Sequence, residues 1–355
     1  MTGRTVAPAE LTGRTVGPAE RPPLIAVAAP PHLRRLFFEP AAWDALAALG
    51  RLRLPTTDAD VGDERVLAEL LADADVVITA WGTHRLSAPV LAAAPRLRLL
   101  AHTGATVKPF VTPESFAHGV RVTQAGDAMG YAVGEQALAL TLALLHRVHR
   151  YDHALRTGVD WDRAKDVPPR RELRGATVGV VGASRTGRAY LGLVRALGAE
   201  VLVVDPLLTD EAAAGLGVTR VGLDELLTRS RVVSLHAPVL PATTGMIGAR
   251  DLALLPDGGL LVNTARPALV DEAALLAELR TGRIDAALDV FDAEPLPVDH
   301  PLRHLPNVLL TPHEAAGTVE SRQRAGAIVV DEIDRFLRGA ALRHEIRPEQ
   351  LDTMG

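Results

Sequence analysis

The sequence predicts an α/β protein built from doubly wound parallel sheets. Three observations carry that expectation. The chain has 355 residues, more than one hydrophobic core usually spans, so two domains are expected. Short apolar runs alternate with stretches of helical periodicity in two successive series, the pattern of sheets covered by helices on both faces. Most runs of the second series end in polar or turn residues, and ligands of such sheets bind beyond the carboxyl ends of the strands.

The chain opens on TGRTVAPAE (2–10), repeated as TGRTVGPAE (12–20). A polar nonapeptide holding Pro and Gly cannot bury a core, so 1–22 reads as a flexible tail. LIAVAAP (24–30) is a buried strand stopped by Pro30 and Pro31, and AAWDALAALG (41–50) is a helix ending at Gly50. RLRLP (51–55), DVVITAWG (75–82) and LRLLAHTG (97–104) are further strands, with DERVLAELLADA (63–74) a helix among them. Residues 128–151 contain no Pro and read as one long helix crossing between domains. The second series runs through strands at 176–182, 199–206, 231–238, 259–265, 285–291 and 307–312, and a last amphipathic helix covers about 319–338.

Hydrophobic residues make up 48% and charged residues 23%, an ordinary globular composition. The net charge of −5 and the absence of a basic stripe argue against a nucleic-acid partner. There are no cysteines, which removes disulfides, thiolate metal sites and cysteine nucleophiles and suits a reducing cytosol. No metal site is expected. The first 23 residues hold Arg4, Arg14, Arg21 and four prolines without an apolar run, so no signal peptide is expected. Nor does any segment read as the roughly 20 apolar, charge-free residues of a membrane helix. A soluble, cytoplasmic protein is the expectation.

VVGASRTGRAY (180–190) follows an apolar strand and opens a helix. It resembles the Gly-x-Gly-x-x-Gly turn that cradles a pyrophosphate, with Ser184 at the middle glycine. Gly182, Ser184, Arg185, Thr186 and Gly187 are therefore candidate cofactor contacts. Asp205 ends the next strand, where a carboxylate accepts from an adenosine ribose and repels a ribose phosphate. NAD, not NADP, is the predicted cofactor. Ser184 keeps the turn only at negative φ, and its hydroxyl is available to donate to phosphate.

In order along the chain stand RELRGATVGVVG, VLVVDP, SLHAPVLPATTGMIG, LVNTARPALVDEAAL, GRIDAALDVFDAEPLP and LPNVLLTPHEAAGT. Together they resemble the NAD-dependent D-2-hydroxyacid dehydrogenases, the family of phosphoglycerate, glycerate and D-lactate dehydrogenases, across about residues 24–345. The resemblance implies a Rossmann cofactor domain (126–317) inserted into a smaller flavodoxin-like substrate domain (23–125 plus 318–345). It implies a homodimer formed through the long helix and the arm carrying Trp161. It also implies a catalytic trio of Arg266, Glu294 and His313, acting on a small 2-keto or 2-hydroxy acid. His313 would exchange the proton at the reacting oxygen, Glu294 would hold its tautomer and favour its protonated form, and Arg266 would grip the substrate carboxylate. By the same resemblance Asp289 accepts from the nicotinamide carboxamide. His236, Pro238, Thr243, Thr264, Ala265, His313 and Ala316 meet the cofactor. The stretch AHTGATVK (101–108) resembles the loop whose backbone N–H groups, here of Ala105 and Thr106 after Gly104, bind the substrate carboxylate together with Arg266. Lys108 is less typical of that loop and is either a substrate contact or a surface lysine, and Trp81 either lines the pocket or packs in the core.

Four residues depart from the family pattern: Ser184, Pro267 after the arginine, Glu314 after the histidine, and Ala316 at a usual glycine. Pro267 restricts Arg266 to extended angles. Glu314 either adds a second carboxylate beside His313 or faces solvent, and Ala316 adds a methyl near the nicotinamide. Two other uses of this architecture stay open: an NADH-sensing binding protein, like the C-terminal-binding-protein corepressors, and phosphite oxidation on the same trio. Formate dehydrogenase relatives carry glutamine where Glu294 stands. A phosphorylated substrate would want a basic cluster, for which Arg51, Arg53 and Arg85 are candidates.

Overall fold

The computed structural model describes residues 21–56 and 60–353. The repeated nonapeptide and the expectation attached to it lie outside these residues. Arg21 already belongs to the folded unit, donating to the Asp73 carbonyl at 2.8 Å and to Asp75 at 3.3 Å, which corrects a tail drawn through residue 22.

Thirteen strands form among the described residues: β1 Leu24–Ala28, β2 Arg51–Arg53, β3 Val76–Thr79, β4 Leu99–His102, β5 Arg121–Gln124, β6 Thr177–Val181, β7 Glu200–Val204, β8 Thr219–Arg220, β9 Val232–Leu235, β10 Leu260–Asn263, β11 Asp285–Leu288, β12 Val308–Leu310 and β13 Glu345–Ile346. They make two sheets, ordered β13-β5-β4-β3-β1-β2 and β12-β11-β10-β9-β6-β7-β8. All pairings are parallel except β13 on β5. Every residue of β1, β3 and β4 is buried, as central strands covered on both faces require. The chain returns to the first sheet at its end. Helix Val319–Leu337 packs Ala325, Val329 and Ile333 onto Ile25, Val27, Val76 and Ile78, and β13 closes the edge with an Arg121–Glu345 fork of 2.6 and 2.8 Å. The larger sheet is thus inserted between two pieces of the smaller one.

Two expectations need correction. The helix predicted over 128–151 is two helices, Gly130–Leu145 and Val148–Arg156, broken at Arg147 with φ 57°. Next to the break, Arg147, His149 and Arg150 lie within 2.7, 3.2 and 2.8 Å of the buried Asp285 carboxylate, so one anion meets three basic side chains. In addition, Gly126–Leu145 is long and apolar enough to cross a membrane by length and composition, contrary to the reading above. Most of it is buried inside the fold: Ala137, Leu140 and Leu144 join the core of the second sheet, and Thr141 meets the Tyr190 hydroxyl at 2.7 Å. Its apolarity belongs to packing between helices. The short strands β5, β8 and β13 were not anticipated, because RVTQ and two-residue pairings carry no apolar run.

Candidate active site

The Gly-rich turn joins β6 to helix Arg185–Ala196. Gly182 has φ +96°, and a Cβ there would lie 2.7 Å from the Ala237 amide, so only glycine fits. A Cβ on Gly187 would collide with the Gly182 carbonyl. Ser184 sits at φ −65° and caps the helix, its Oγ accepting from the Gly187 N–H at 3.3 Å. The hydroxyl proton goes to the His236 carbonyl at 2.8 Å. The serine therefore preserves the turn at negative φ, as expected, but its donor is committed to protein and not to a phosphate. Thr186 Oγ1 lies 3.1 Å from it. Arg185 departs from expectation by pairing with Asp127, on the connection between the two sheets. Asp205 spans the turn from the end of β7, accepting from the Ala183 N–H at 2.7 Å and the Leu207 N–H at 2.8 Å. A carboxylate has about four acceptor sites, so each oxygen keeps capacity for a ribose.

Beyond β9, His236 is buried, with Nε2 2.9 Å from Ser234 Oγ and Nδ1 without a partner. Burial pulls its pKa down to about 3, so the imidazole is neutral. Thr243 closes its own loop, donating to the Pro238 carbonyl at 2.6 Å and accepting from the Leu240 N–H at 2.8 Å. Beyond β10, Asn263 shapes the turn that presents the arginine. Its amide donates to the Arg266 carbonyl at 2.9 Å and its Oδ1 accepts from the Ala265 N–H at 3.0 Å. Sequence reasoning missed this residue; the asparagine ending an apolar strand was the available signal. Thr264 Oγ1 is buried without a partner. Arg266 is extended at φ −146°, ψ 143°, as Pro267 demands. Burial pulls its guanidinium below the ordinary value and the charge of Glu294 opposes this; it stays a cation.

His313 and Glu294 meet directly. His313 Nδ1 lies 2.7 Å from Glu294 Oε2, while Glu294 Oε1 accepts from the Phe291 N–H at 3.0 Å. A carboxylate only accepts, so Nδ1 carries the proton and Nε2 is left free. The imidazole is 47% exposed and can reach a ligand. A cavity of about 630 Å³ opens beside the pair, lined by Phe291, Pro295, Leu296, Leu310 and Thr311 among others.

Asp289 is fully buried, and its carboxylate takes the Thr311 hydroxyl at 2.5 Å and the N–H groups of Glu314 and Ala315 at 3.1 and 2.9 Å. It acts as the clamp of the 311–315 loop. Glu314 faces neither Glu294 nor His313 with its carboxylate, which lies 2.7 Å from Arg322 on helix Val319–Leu337. Ala316 is partly buried against the cluster holding Ala29 and Phe37, with Ala105 on the same cluster.

Past β4 lie Gly104, Ala105, Thr106 and Lys108, the last exposed. A Cβ on Gly104 would stand 2.8 Å from Trp81 Cζ2, so the tryptophan covers the loop. Ala105 and Ala316 on one cluster bring this loop towards the segment carrying His313.

A glycine turn at a strand end, with a carboxylate ending the neighbouring strand, defines a dinucleotide-binding α/β protein. Residues 138–315 match the model of the D-isomer specific 2-hydroxyacid dehydrogenase NAD binding domain. The chain is 36% identical over 275 residues to the D-3-phosphoglycerate dehydrogenase of Methanocaldococcus jannaschii, covering 77% of this chain and 52% of that one. It is 34% identical over 280 residues to the glyoxylate reductase of Korarchaeum cryptofilum, covering 78% and 83%. A crystal structure of a Thermus thermophilus protein superposes with a TM-score of 0.79 at 29% identity, covering 91% of this chain and all of that one. The chain spans about half the length of the phosphoglycerate dehydrogenases it matches. It belongs to the D-isomer specific 2-hydroxyacid dehydrogenase family, and its cofactor is NAD. The residues present fit that cofactor: the glycine cradle at 182–187, the carboxylate of Asp205, and the unpaired Thr264 Oγ1 and His236 Nδ1.

Proposed function

We propose that the protein is an NAD-dependent oxidoreductase transferring a hydride between NAD(H) and a small 2-keto or D-2-hydroxy acid. The observation that carries this is the exposed His313 held at 2.7 Å by Glu294 through Nδ1. Relatives named phosphoglycerate dehydrogenase and glyoxylate reductase support it. NADH, when bound, supplies the hydride. His313 Nε2 gives its proton to the oxygen that becomes the hydroxyl, and Glu294 stabilises the imidazolium before transfer and fixes its tautomer after it. Arg266 holds the substrate carboxylate, aided by the Ala105 and Thr106 N–H groups of the smaller-sheet domain. In the oxidising direction the same imidazole takes the proton back.

The test is NADH oxidation against a panel of 2-keto acids. His313→Ala is expected to lower kcat/KM by about 10²- to 10⁴-fold with NADH binding retained. NADH binding without turnover of any acid would overturn the reading in favour of an NADH-responsive binding protein. We further propose a homodimer through helix Gly130–Leu145 and the following arm. Tyr131, Val148, Leu155, Val159 and Trp161 are exposed along that run, Trp161 by 69%, and such a patch marks an interface. Sedimentation should show a dimer that Trp161→Ala weakens; a monomer at all concentrations refutes it.

A further inference from the structure

Trp81 follows β3 and is 44% exposed although its ring is held on two sides. It stacks on the buried Phe37 at 5.9 Å and 27°, and meets the edge of His102 at 5.8 Å and 68°. The ring is therefore fixed, with much of its surface uncovered. It lies against Gly104, the first residue of the loop whose next two N–H groups are assigned above to the substrate carboxylate. The two rings that hold it carry no charge. His102 is fully buried, hydrogen-bonded through Nδ1 to Thr79 at 3.0 Å, and kept neutral by burial. Phe37 belongs to a buried apolar cluster against which Ala105 and Ala316 pack.

A phosphorylated substrate needs converging cations, and the basic candidates do not converge here. Arg51 pairs in register with Leu24 at the amino end of the sheet, away from the loops that follow the strands. Arg53 on the same strand donates to the carbonyls of Leu70 and Ala72, at the C-terminal end of helix Glu64–Leu71. Arg85 is exposed, with its charge acting on Glu114. Lys108, the remaining basic candidate, is exposed next to the loop.

We infer that the substrate is a 2-keto acid with an aromatic side chain, stacked on Trp81 while its carboxylate sits on the 104–106 loop. The inference rests on the dehydrogenase reading above and names its substrate class. An aromatic ring gains from offset stacking on a fixed indole, whereas a phosphoryl group gains nothing from that face and would lose hydration against it.

The test compares phenylpyruvate, glyoxylate and 3-phosphohydroxypyruvate in the NADH assay, on wild-type protein, Trp81→Ala and Trp81→Phe. Wild type should prefer phenylpyruvate to 3-phosphohydroxypyruvate by about tenfold or more in kcat/KM. Trp81→Ala should lower kcat/KM for phenylpyruvate by about 10- to 100-fold and for glyoxylate by less than about threefold, with Trp81→Phe retaining most of the preference. If Trp81→Ala does not fold, the wild-type preference and Trp81→Phe decide. Preference for the phosphorylated acid, or equal losses for phenylpyruvate and glyoxylate in Trp81→Ala, overturns this inference alone. Failure of all three acids overturns it together with the dehydrogenase reading.

Discussion

Replacing Ser184 with alanine separates two uses of one hydroxyl. Its Oγ accepts from the Gly187 N–H at 3.3 Å as helix cap and donates to the His236 carbonyl at 2.8 Å. Losing a serine cap costs about 1 kcal/mol, and losing a neutral hydrogen bond costs about as much. The first bond is long, so the sum is about 1–2 kcal/mol. For a unit of this size that is a fall of about 2–4 °C per kcal/mol. Because its only proton already points at His236, the hydroxyl adds no donor to the cofactor phosphates. The expected result of Ser184→Ala is therefore a lower melting temperature with the NADH Kd changed by less than about threefold, a binding difference under about 1 kcal/mol. Fluorescence titration with NADH and thermal melting of the apo-protein read the two effects separately. An unchanged melting temperature with a Kd at least ten times weaker would refute the assignment and return the hydroxyl to the phosphate.

Asp285→Asn leaves Arg147 and Arg150 beside a neutral amide, and breaking such a buried pair costs about 3–5 kcal/mol in urea unfolding. Burial raises the Asp285 pKa, but the hydrogen bonds from His149 and Arg150 and the charges of Arg150 and Arg147 outweigh it, leaving about 2 against an ordinary 3.8. A depressed folded pKa stabilises above the unfolded value and is lost as pH falls through the folded one. Wild-type protein should thus lose its advantage over Asp285→Asn between pH 3.8 and about 2; an advantage undiminished at the bottom of that window would contradict the ion cluster. Glu314→Gln removes a half-exposed pair with Arg322, which should cost less than about 1 kcal/mol and leave the pH profile of kcat/KM superimposable on wild type. A displaced profile would place Glu314 back beside His313. Gly187→Ala drives a methyl into the Gly182 carbonyl, so NADH affinity should fall by about tenfold or more, equivalent to about 1.4 kcal/mol; unaltered titration would mean the turn opens freely.

Alternation of apolar runs placed nearly every strand of both sheets, because a parallel strand buried on both faces must be apolar throughout. The failures share a physical origin. No apolar run marks β5 or β13, since RVTQ alternates and Glu345–Ile346 pairs over two residues at an edge. The break at Arg147 left no Gly or Pro to announce it, and the partner of that arginine, the carboxylate of Asp285, lies 138 positions further along the chain. At the site, the Glu294–His313 pair was legible from motif order. What each carboxylate and hydroxyl is bonded to was not. Asp289, Thr243 and Ser184 are polar residues after strands, as a ligand contact would be, yet their bonds go to the protein itself.

Those bonds explain how the four departures coexist with the contact between Glu294 and His313. His313 has φ 54°, a left-handed conformation that costs a non-glycine residue about 1 kcal/mol or more. Asp289 offsets that cost by fastening the loop on both sides of the histidine, through Thr311 before it and Glu314 and Ala315 after it. With the backbone held there, the carboxylate of residue 314 stays apart from the Glu294–His313 contact, and a glutamate is tolerated once Arg322 receives it. Ala316 sits on the apolar cluster, Pro267 gives Arg266 its extended backbone, and Ser184 caps a helix. Each departure is answered by its own local partner, and none alters the 2.7 Å contact between Glu294 and His313.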